Sequence, residues 1–180
     1  ALTRVGYYNL TGILDFYKHA GSATAIIDHR KDVREVIPDA SPKLVERIRD
    51  GEALTHRAAK KYVWTQQHGV RILRWGDDEY PQRLAECTDA PLILYYKGTA
   101  DLNQMRVINI VGTRHCTIYG QDIVRHFIDG LREICGNRML VVSGLAYGVD
   151  IAAHRNALEK GFETVGVLAH GLDDLYPPRH

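Results

Sequence analysis

Three apolar segments that alternate with helical patterns constrain the fold of this chain most strongly. Strands are predicted over residues 106–112, 138–144 and 163–171. Each of these strands ends at a glycine, namely Gly112, Gly144 and Gly171. Helices are predicted between them, over residues 118–135 and 149–160. This alternation is typical of a parallel sheet, whose strands all end along one edge, so we expect the three loops to converge on a single crevice.

The first junction, "VINIVGTRHCTIYG" at residues 107–120, has the pattern of an anion-binding turn. Four β-branched residues predict a buried strand: Val107, Ile108, Ile110 and Val111. An amphipathic helical pattern follows. The turn between them brings backbone N–H groups and the positive end of a helix dipole together, and Arg114 adds a fork of donors. The sequence therefore predicts an anion site, suited to phosphate, at the loop 112–114.

The second junction, "SGLAYGVD" at residues 143–150, carries small residues that let a ligand or another backbone come close. These are Ser143, Gly144 and Gly148. Such glycines can also simply permit tight turns, but two such turns on one sheet edge favour a shared anion pocket. Neither loop has the G-x-G-x-x-G pattern, and the chain has no Walker GxxxxGK[ST] motif, so a dinucleotide site is not favoured.

Asp150 and His154 lie four residues apart on one predicted helix face. This spacing fits a metal pair, an acid–base couple or a hydrogen bond between the two side chains that supports the loop, and the hydrogen bond is the commoner outcome. The three cysteines have no CxxC spacing and indicate neither a zinc site nor a disulfide framework. We expect no metal and no cofactor.

The sequence has helical patterns before about residue 70 and strand patterns as well after it, which predicts two domains over residues 1–69 and 70–180. The first reads as a bundle of short helices, one of them capped by Thr11 and stopped by Gly21, and another capped by Ser41 and closed by Gly51. Five residues are predicted to form its core: Ile13, Leu14, Phe16, Leu44 and Ile48.

Composition narrows the class of protein. The chain has 180 residues, 45% of them hydrophobic, but no apolar run long enough for a membrane span and no signal-peptide layout, so a cytoplasmic location without membrane contact is expected. The formal net charge is only +1, which means that any anion site must be local. The basic segment "HRAAKKY" at 56–62 is better explained by a solvated helix face than by a DNA contact.

Five segments, in this order and spacing, resemble the DNA-processing protein A family, also called DprA or Smf. They are "DDEYPQRL", "APLILYYKG", "IVGTRHCTIYG", "SGLAYGVDIAAHRNAL" and "GLDDLYP", spread over about residues 70–180. The resemblance implies an α/β fold with a Rossmann-like parallel sheet, incomplete in this chain, after a small all-α domain similar to a sterile-alpha-motif domain. It also implies a homodimeric, non-catalytic protein that binds single-stranded DNA and helps load the RecA recombinase during natural transformation.

The resemblance assigns residues to the nucleic-acid site one by one. The family's Gly-Ser-Arg loop corresponds to Gly112, Thr113 and Arg114, where threonine keeps the hydroxyl. Its second loop corresponds to Ser143, Gly144, Ala146, Gly148, Val149 and Asp150. Tyr147 stands where many members have a lysine of the basic pocket. A tyrosine can stack on a base, but its presence removes one charge from the pocket.

The chain departs from the family at its end, since members continue past "GLDDLYPPRH" with further strands and helices that complete the sheet and form the dimer interface. We therefore expect a fragment of a longer protein, with the dimer and recombinase surfaces beyond residue 180. An enzyme of the phosphoribohydrolase type, which uses similar loops, is the alternative. Its PGGxGTxxE motif is absent from these residues.

Overall fold

The computed structural model describes residues 10–36, 38, 40–49 and 51–173. The chain divides into two compact units, Ala1–Lys97 and Gly98–His180. This division lies later than the boundary expected between residues 69 and 70. No helix in the described ranges is both long and apolar enough to cross a membrane.

The first unit is built from short helices and a two-stranded sheet. Its helices are α1 (Leu10–Ala20), α2 (Ala23–Asp28), α3 (Val33–Val36), α4 (Pro42–Arg49), α5 (Gly51–Gln67) and α6 (Gln82–Ala85). Strands β1 (Arg71–Arg74) and β2 (Ile93–Tyr96) form an antiparallel pair, and α6 lies between them in the sequence.

The predicted helix ends of this unit are partly confirmed. Gly21 adopts a φ of 70° and donates its N–H to the carbonyl of Tyr17 at 3.0 Å, which ends α1 as predicted. Ser41 accepts a hydrogen bond from the N–H of Leu44 at 3.3 Å at the start of α4. Two details are wrong: Thr11 lies inside α1 instead of capping it, and Gly51 begins α5 instead of closing α4.

The core of this unit explains the position of the domain boundary. The predicted core residues Ile13, Leu14, Phe16 and Ile48 are buried, and Leu44 is partly buried against them. Two further members of the same cluster, Ala90 and Leu92, come from the segment that leads into β2. The two-stranded sheet therefore shares its apolar core with the helices, which is why the first unit continues to residue 97.

The second unit is a three-stranded parallel sheet with two helices. Its elements are β3 (Val107–Asn109), α7 (Ile118–Cys135), β4 (Leu140–Ser143), α8 (Val149–Glu159) and β5 (Glu163–Gly166). The strand order is β3-β4-β5, so β4 is central and pairs with a parallel strand on each side. This is the predicted α/β, Rossmann-like alternation. Both predicted helices are found within one residue of their expected ends.

A compact apolar cluster joins the helices of this unit to the sheet. Its buried members are Val124 and Ile128 of α7, Met139 and Val141 at β4, Ala153 and Ala157 of α8, and Phe162. The small alanines allow α8 to approach the sheet closely, since they add little side-chain volume at the contact. The cluster holds the amino-terminal ends of α7 and α8 at the same edge of the sheet as the strand ends.

The strands are shorter than the sequence predicts. The expected buried strand over 106–112 is wrong beyond Asn109, because the chain leaves the sheet after the N–H of Ile110 bonds to the carbonyl of Val142. Val111 is consequently 75% exposed. The β-branched residues that follow Asn109 belong to the loop that leads toward α7.

Candidate nucleic-acid interface

The loops after all three strands meet in one open cleft at the carboxyl edge of the sheet. The cleft has a volume of about 640 Å³, within the range of small-ligand sites. It is lined by Arg114, His115, Cys116, Gln121, Gly144, Leu145, Ala146, Tyr147, Gly148, Ala169 and His170. The convergence expected from the three glycine-ended strands is thus present in the described part of the chain.

Backbone contacts lock the first two loops against each other. The N–H of Val149 donates to the carbonyl of Thr113 at 3.1 Å, across the start of α8. Gly148 has φ 79° and ψ −123°, and a Cβ at this position would overlap the carbonyl oxygen of Thr113. A Cβ at Gly112 would lie 2.7 Å from a methyl group of Val149. Gly148 is therefore required by the close approach of two backbones, and Gly112 by the side chain of Val149 that packs against it.

The start of α7 is shaped by hydroxyl groups. Thr117 caps the helix, and its hydroxyl accepts a hydrogen bond from the N–H of Gly120 at 3.1 Å. The hydroxyl of Thr113 accepts from the N–H of His115 at 3.1 Å, which turns the chain just before the helix. The hydroxyl of Thr113 is thus already used in shaping the loop. The positive end of the α7 dipole opens beside Arg114 and His115.

The side chain of Ser143, which the resemblance assigns to the nucleic-acid site, is buried within the protein. Its side chain is 3% exposed, and its hydroxyl donates to the carbonyl of Ile110 at 2.6 Å. The bond ties the end of β4 to the residue that follows β3. The hydroxyl therefore holds the edge of the sheet together, while Gly144 next to it lines the cleft.

The loop between β4 and α8 carries backbone strain. Leu145 has a φ of 61°, a left-handed conformation that is uncommon for a residue with a side chain. The buried carboxylate of Asp150 accepts a long hydrogen bond of 3.4 Å from the N–H of Ala146 and so supports the turn. Strained loops of this kind cluster at ligand sites.

The expected hydrogen bond between Asp150 and His154 is wrong, because the two side chains have different partners. While Asp150 faces the loop, the Nδ1 atom of His154 lies 2.6 Å from the hydroxyl of Thr164 on β5. The Thr164 hydroxyl in turn donates to the carbonyl of Val141 at 2.9 Å. The described residues contain no group of histidine, cysteine and acidic side chains that could hold a metal ion. The pair therefore supports the fold of the edge through separate bonds.

Arg114 is exposed at the mouth of the cleft. Among the residues that the structure describes, none forms an ion pair or a side-chain hydrogen bond with its guanidinium. Such a guanidinium can donate two hydrogen bonds to a phosphate without first breaking an internal contact. Tyr147 is 44% exposed on the opposite loop, so its ring also faces the opening.

The sequence does not single out six of the cleft residues: His115, Cys116, Gln121, Leu145, Ala169 and His170. His115 and Cys116 follow Arg114 directly, and His170 precedes Gly171, where the sequence predicts the third strand to end, although β5 already ends at Gly166. The position of Gly171 was the available signal for His170, because the loop after β5 was expected at the same edge. The position of Gln121 depends on the first turn of α7 and has no comparable sequence pattern.

The sequence profile of the family described as DNA recombination-mediator protein A matches residues 71–180. The chain belongs to this family. It is 45% identical over 101 residues to the DNA processing protein DprA of Streptococcus pneumoniae, covering 56% of this chain and 34% of that protein. It is also 36% identical over 112 residues to the DprA of Bacillus subtilis, covering 62% of this chain and 37% of that protein.

A third relative, Protein Smf of Escherichia coli, is 30% identical over 117 residues, which cover 65% of this chain and 30% of that protein. The chain thus spans about a third of the length of the curated relatives it matches. A solved structure, the X-ray structure of DprA from Streptococcus pneumoniae, aligns with a TM-score of 0.70 and 29% identity. That alignment covers 99% of this chain, including the helical unit, and 59% of the solved chain.

Proposed function

We propose that the cleft at the carboxyl edge of the sheet binds the phosphates of single-stranded DNA, as part of a protein that processes DNA and mediates recombination. The observation that carries this proposal is the meeting of the loop 112–114, the loop 143–148 and the start of α7 beside an exposed Arg114. Backbone amides, a helix dipole and a guanidinium form a sequence-independent phosphate site. Family membership and the names of the relatives support DNA as the ligand.

The residues proposed to contact DNA are those of the two locked loops. Arg114 supplies charge, the backbone of Gly144 and Gly148 lines the cleft, and Gly112 lets its loop pack against Val149 of the second loop. Tyr147 offers a ring on which a base can stack, in place of the positive charge common in the family. Thr113 and Ser143 act through the backbone geometry that their hydroxyl groups maintain.

The wider role is part of the same proposal and is supported only by the resemblance to the family. The complete protein is proposed to coat incoming single strands during natural transformation, to help load the RecA recombinase on them, and to act as a homodimer in the cytoplasm without catalysing a reaction. Side chains of Arg114, His115 and Gln121 line the described cleft, and none of the described lining residues is a carboxylate. This lining favours holding a phosphorylated ligand over hydrolysing it as a phosphoribohydrolase would.

The test is a fluorescence-anisotropy titration of the full-length protein with single- and double-stranded oligonucleotides of equal length at several salt concentrations. We expect preference for the single strand and a linear fall of log affinity with log salt concentration. A matched assay for base release from nucleoside monophosphates tests the enzymatic alternative. Equal affinity for both DNA forms, or base release that depends on the cleft residues, would contradict the proposal.

A further inference from the structure

A second surface with the character of a nucleic-acid contact lies on α5, in the first unit. Five residues at spacings of three and four positions share one face of this helix and of the turn that follows it: Arg57, Lys60, Lys61, Trp64 and His68. The three cations are exposed. From Arg57 to His68 the face is about 16 Å long at the rise of an α-helix, enough to follow several phosphates.

The positive charge of this face has no neutralising partner among the residues that the structure describes. Between Thr55 and Gly76 the sequence has no aspartate or glutamate. Arg57, Lys60 and Lys61 form no ion pair with any carboxylate that the structure describes, whereas the arginines of β1 do: Arg71 pairs with Glu79 and Arg74 with Asp77. The charges on α5 are therefore available to an external anion.

Aromatic rings accompany the cations. The rings of Trp64 and His68 stack with centroids 4.2 Å apart and planes inclined by 16°. His68 is fixed further, because its Nδ1 donates to the carbonyl of Trp64 at 2.8 Å. The ammonium of Lys61 lies 4.1 Å from the centre of the Tyr95 ring, which holds this cation in place beside the stripe. Proteins that bind single-stranded nucleic acid combine cations, which contact phosphates, with aromatic rings, on which bases stack.

The helix contributes little to its own unit along the rest of its surface. Thr65 is the one fully buried side chain among residues 55–67, and Tyr62 and Val63 are 56% and 51% exposed. A helix whose described surface is mostly solvent-facing and basic is poorly explained by packing within the unit alone. The sequence alone favours a solvated helix face for the basic segment 56–62, but the charge complementarity and the stacked rings favour a ligand. We propose that the Arg57–His68 face of α5 is a second contact for single-stranded DNA.

This proposal shares its ligand with the proposed function but not its site, and two pairs of variants separate them. Lys60→Gln/Lys61→Gln removes two charges from the α5 face. Lys31→Gln/Lys43→Gln removes two exposed charges from another part of the same unit, where acidic residues such as Asp32, Glu35 and Glu46 are interspersed. All variants are made in the full-length protein, and their melting temperatures confirm folding.

Binding of oligothymidylate is measured by anisotropy across salt concentrations. The α5 variant is expected to weaken binding and to flatten the slope of log affinity against log salt by about 1.4, the value for two phosphate contacts on a single strand. The control variant is expected to leave the slope unchanged. No difference between the two variants would overturn the proposal.

Three further arms sharpen the test. If the α5 variant loses as much affinity for duplex DNA as for the single strand, the assignment is overturned. It is also overturned if polyglutamate displaces oligothymidylate only from proteins with an intact α5 face, a result that would indicate an acidic protein partner. If Arg114→Ala has no effect while the α5 variant weakens binding, the cleft proposal fails and this one stands. The reverse pattern overturns only this one. A protein that binds no single-stranded DNA contradicts both.

Discussion

Replacing Gly148 by alanine tests how the two cleft loops are held together. Gly148 has φ 79° and ψ −123°, a conformation that residues with side chains rarely adopt. A methyl group there would overlap the carbonyl oxygen of Thr113 and lie 2.7 Å from the carbonyl carbon of Arg114. These obstacles are backbone atoms that cannot rotate away, so the loop 112–114 would have to move and the hydrogen bond from Val149 to Thr113 would weaken.

A matched control comes from Gly136, which ends α7 with φ 62° and ψ −134° and would place a methyl group in open space. Gly136→Ala therefore reports the backbone strain alone, about 1 to 3 kcal/mol. Gly148→Ala adds the cost of overpacking, also about 1 to 3 kcal/mol. We expect Gly148→Ala to lower the free energy of unfolding by that additional amount relative to Gly136→Ala.

Urea denaturation of both variants measures the free energies, and anisotropy with single-stranded DNA measures the effect on the cleft. Gly148→Ala is expected to weaken DNA binding because Arg114 is displaced, while Gly136→Ala leaves the affinity near that of the parent protein. If the two variants are equally stable and bind DNA equally well, the two loops are not locked through Gly148 and the description of the site is wrong.

Two further predictions concern buried hydroxyl groups. Ser143→Ala leaves the carbonyl of Ile110 without its donor, so urea denaturation should show a loss of about 1 to 2 kcal/mol with no change in the salt slope of DNA binding; an altered slope would place the hydroxyl at the ligand. Burial raises the pKa of Tyr80 to about 12, and its hydroxyl donates to the carbonyl of Pro91 at 2.7 Å. Since the pKa of tyrosine in the unfolded chain is about 10, the stability that Tyr80 contributes is complete below pH 10 and is lost as the pH rises through 12. Tyr80→Phe should abolish this pH dependence when denaturation is measured across that range. The same pH profile in Tyr80→Phe and the parent protein would refute the prediction.

The sequence was sufficient for the order of elements in the second unit, because periodicity and helix caps are local. Thr117, for example, begins α7 next to the predicted helix start. The strand ends were less predictable. Val111 has the side chain of a buried strand residue, but β3 lies at the edge of the described sheet and the chain leaves it before Val111. Propensity alone does not reveal where a strand loses its neighbour.

The sequence predicts where the candidate site lies in the fold, but not the contacts that form it. Glycines at three strand ends indicated one crevice, and Arg114 was the evident cation beside it. The burial of Ser143 depends on a hydrogen bond to Ile110, a residue 33 positions away, and no local pattern encodes such a bond. The compact units divide after Lys97 and not near residue 70 for the same reason, because Leu92 joins a core built from helices far earlier in the chain.

The most direct test of the central claim is the salt dependence of single-stranded DNA binding by Arg114→Ala in the full-length protein. Arg155→Ala, an exposed arginine on α8, is the control. For Arg114→Ala we expect weaker binding, a slope of log affinity against log salt that is flatter by about 0.7 to 1, and little change in melting temperature. Arg114→Lys should restore part of the affinity, since the charge returns without the fork. Unchanged affinity and slope for Arg114→Ala, together with a large fall in melting temperature, would show that Arg114 supports the fold and that the cleft does not bind phosphate.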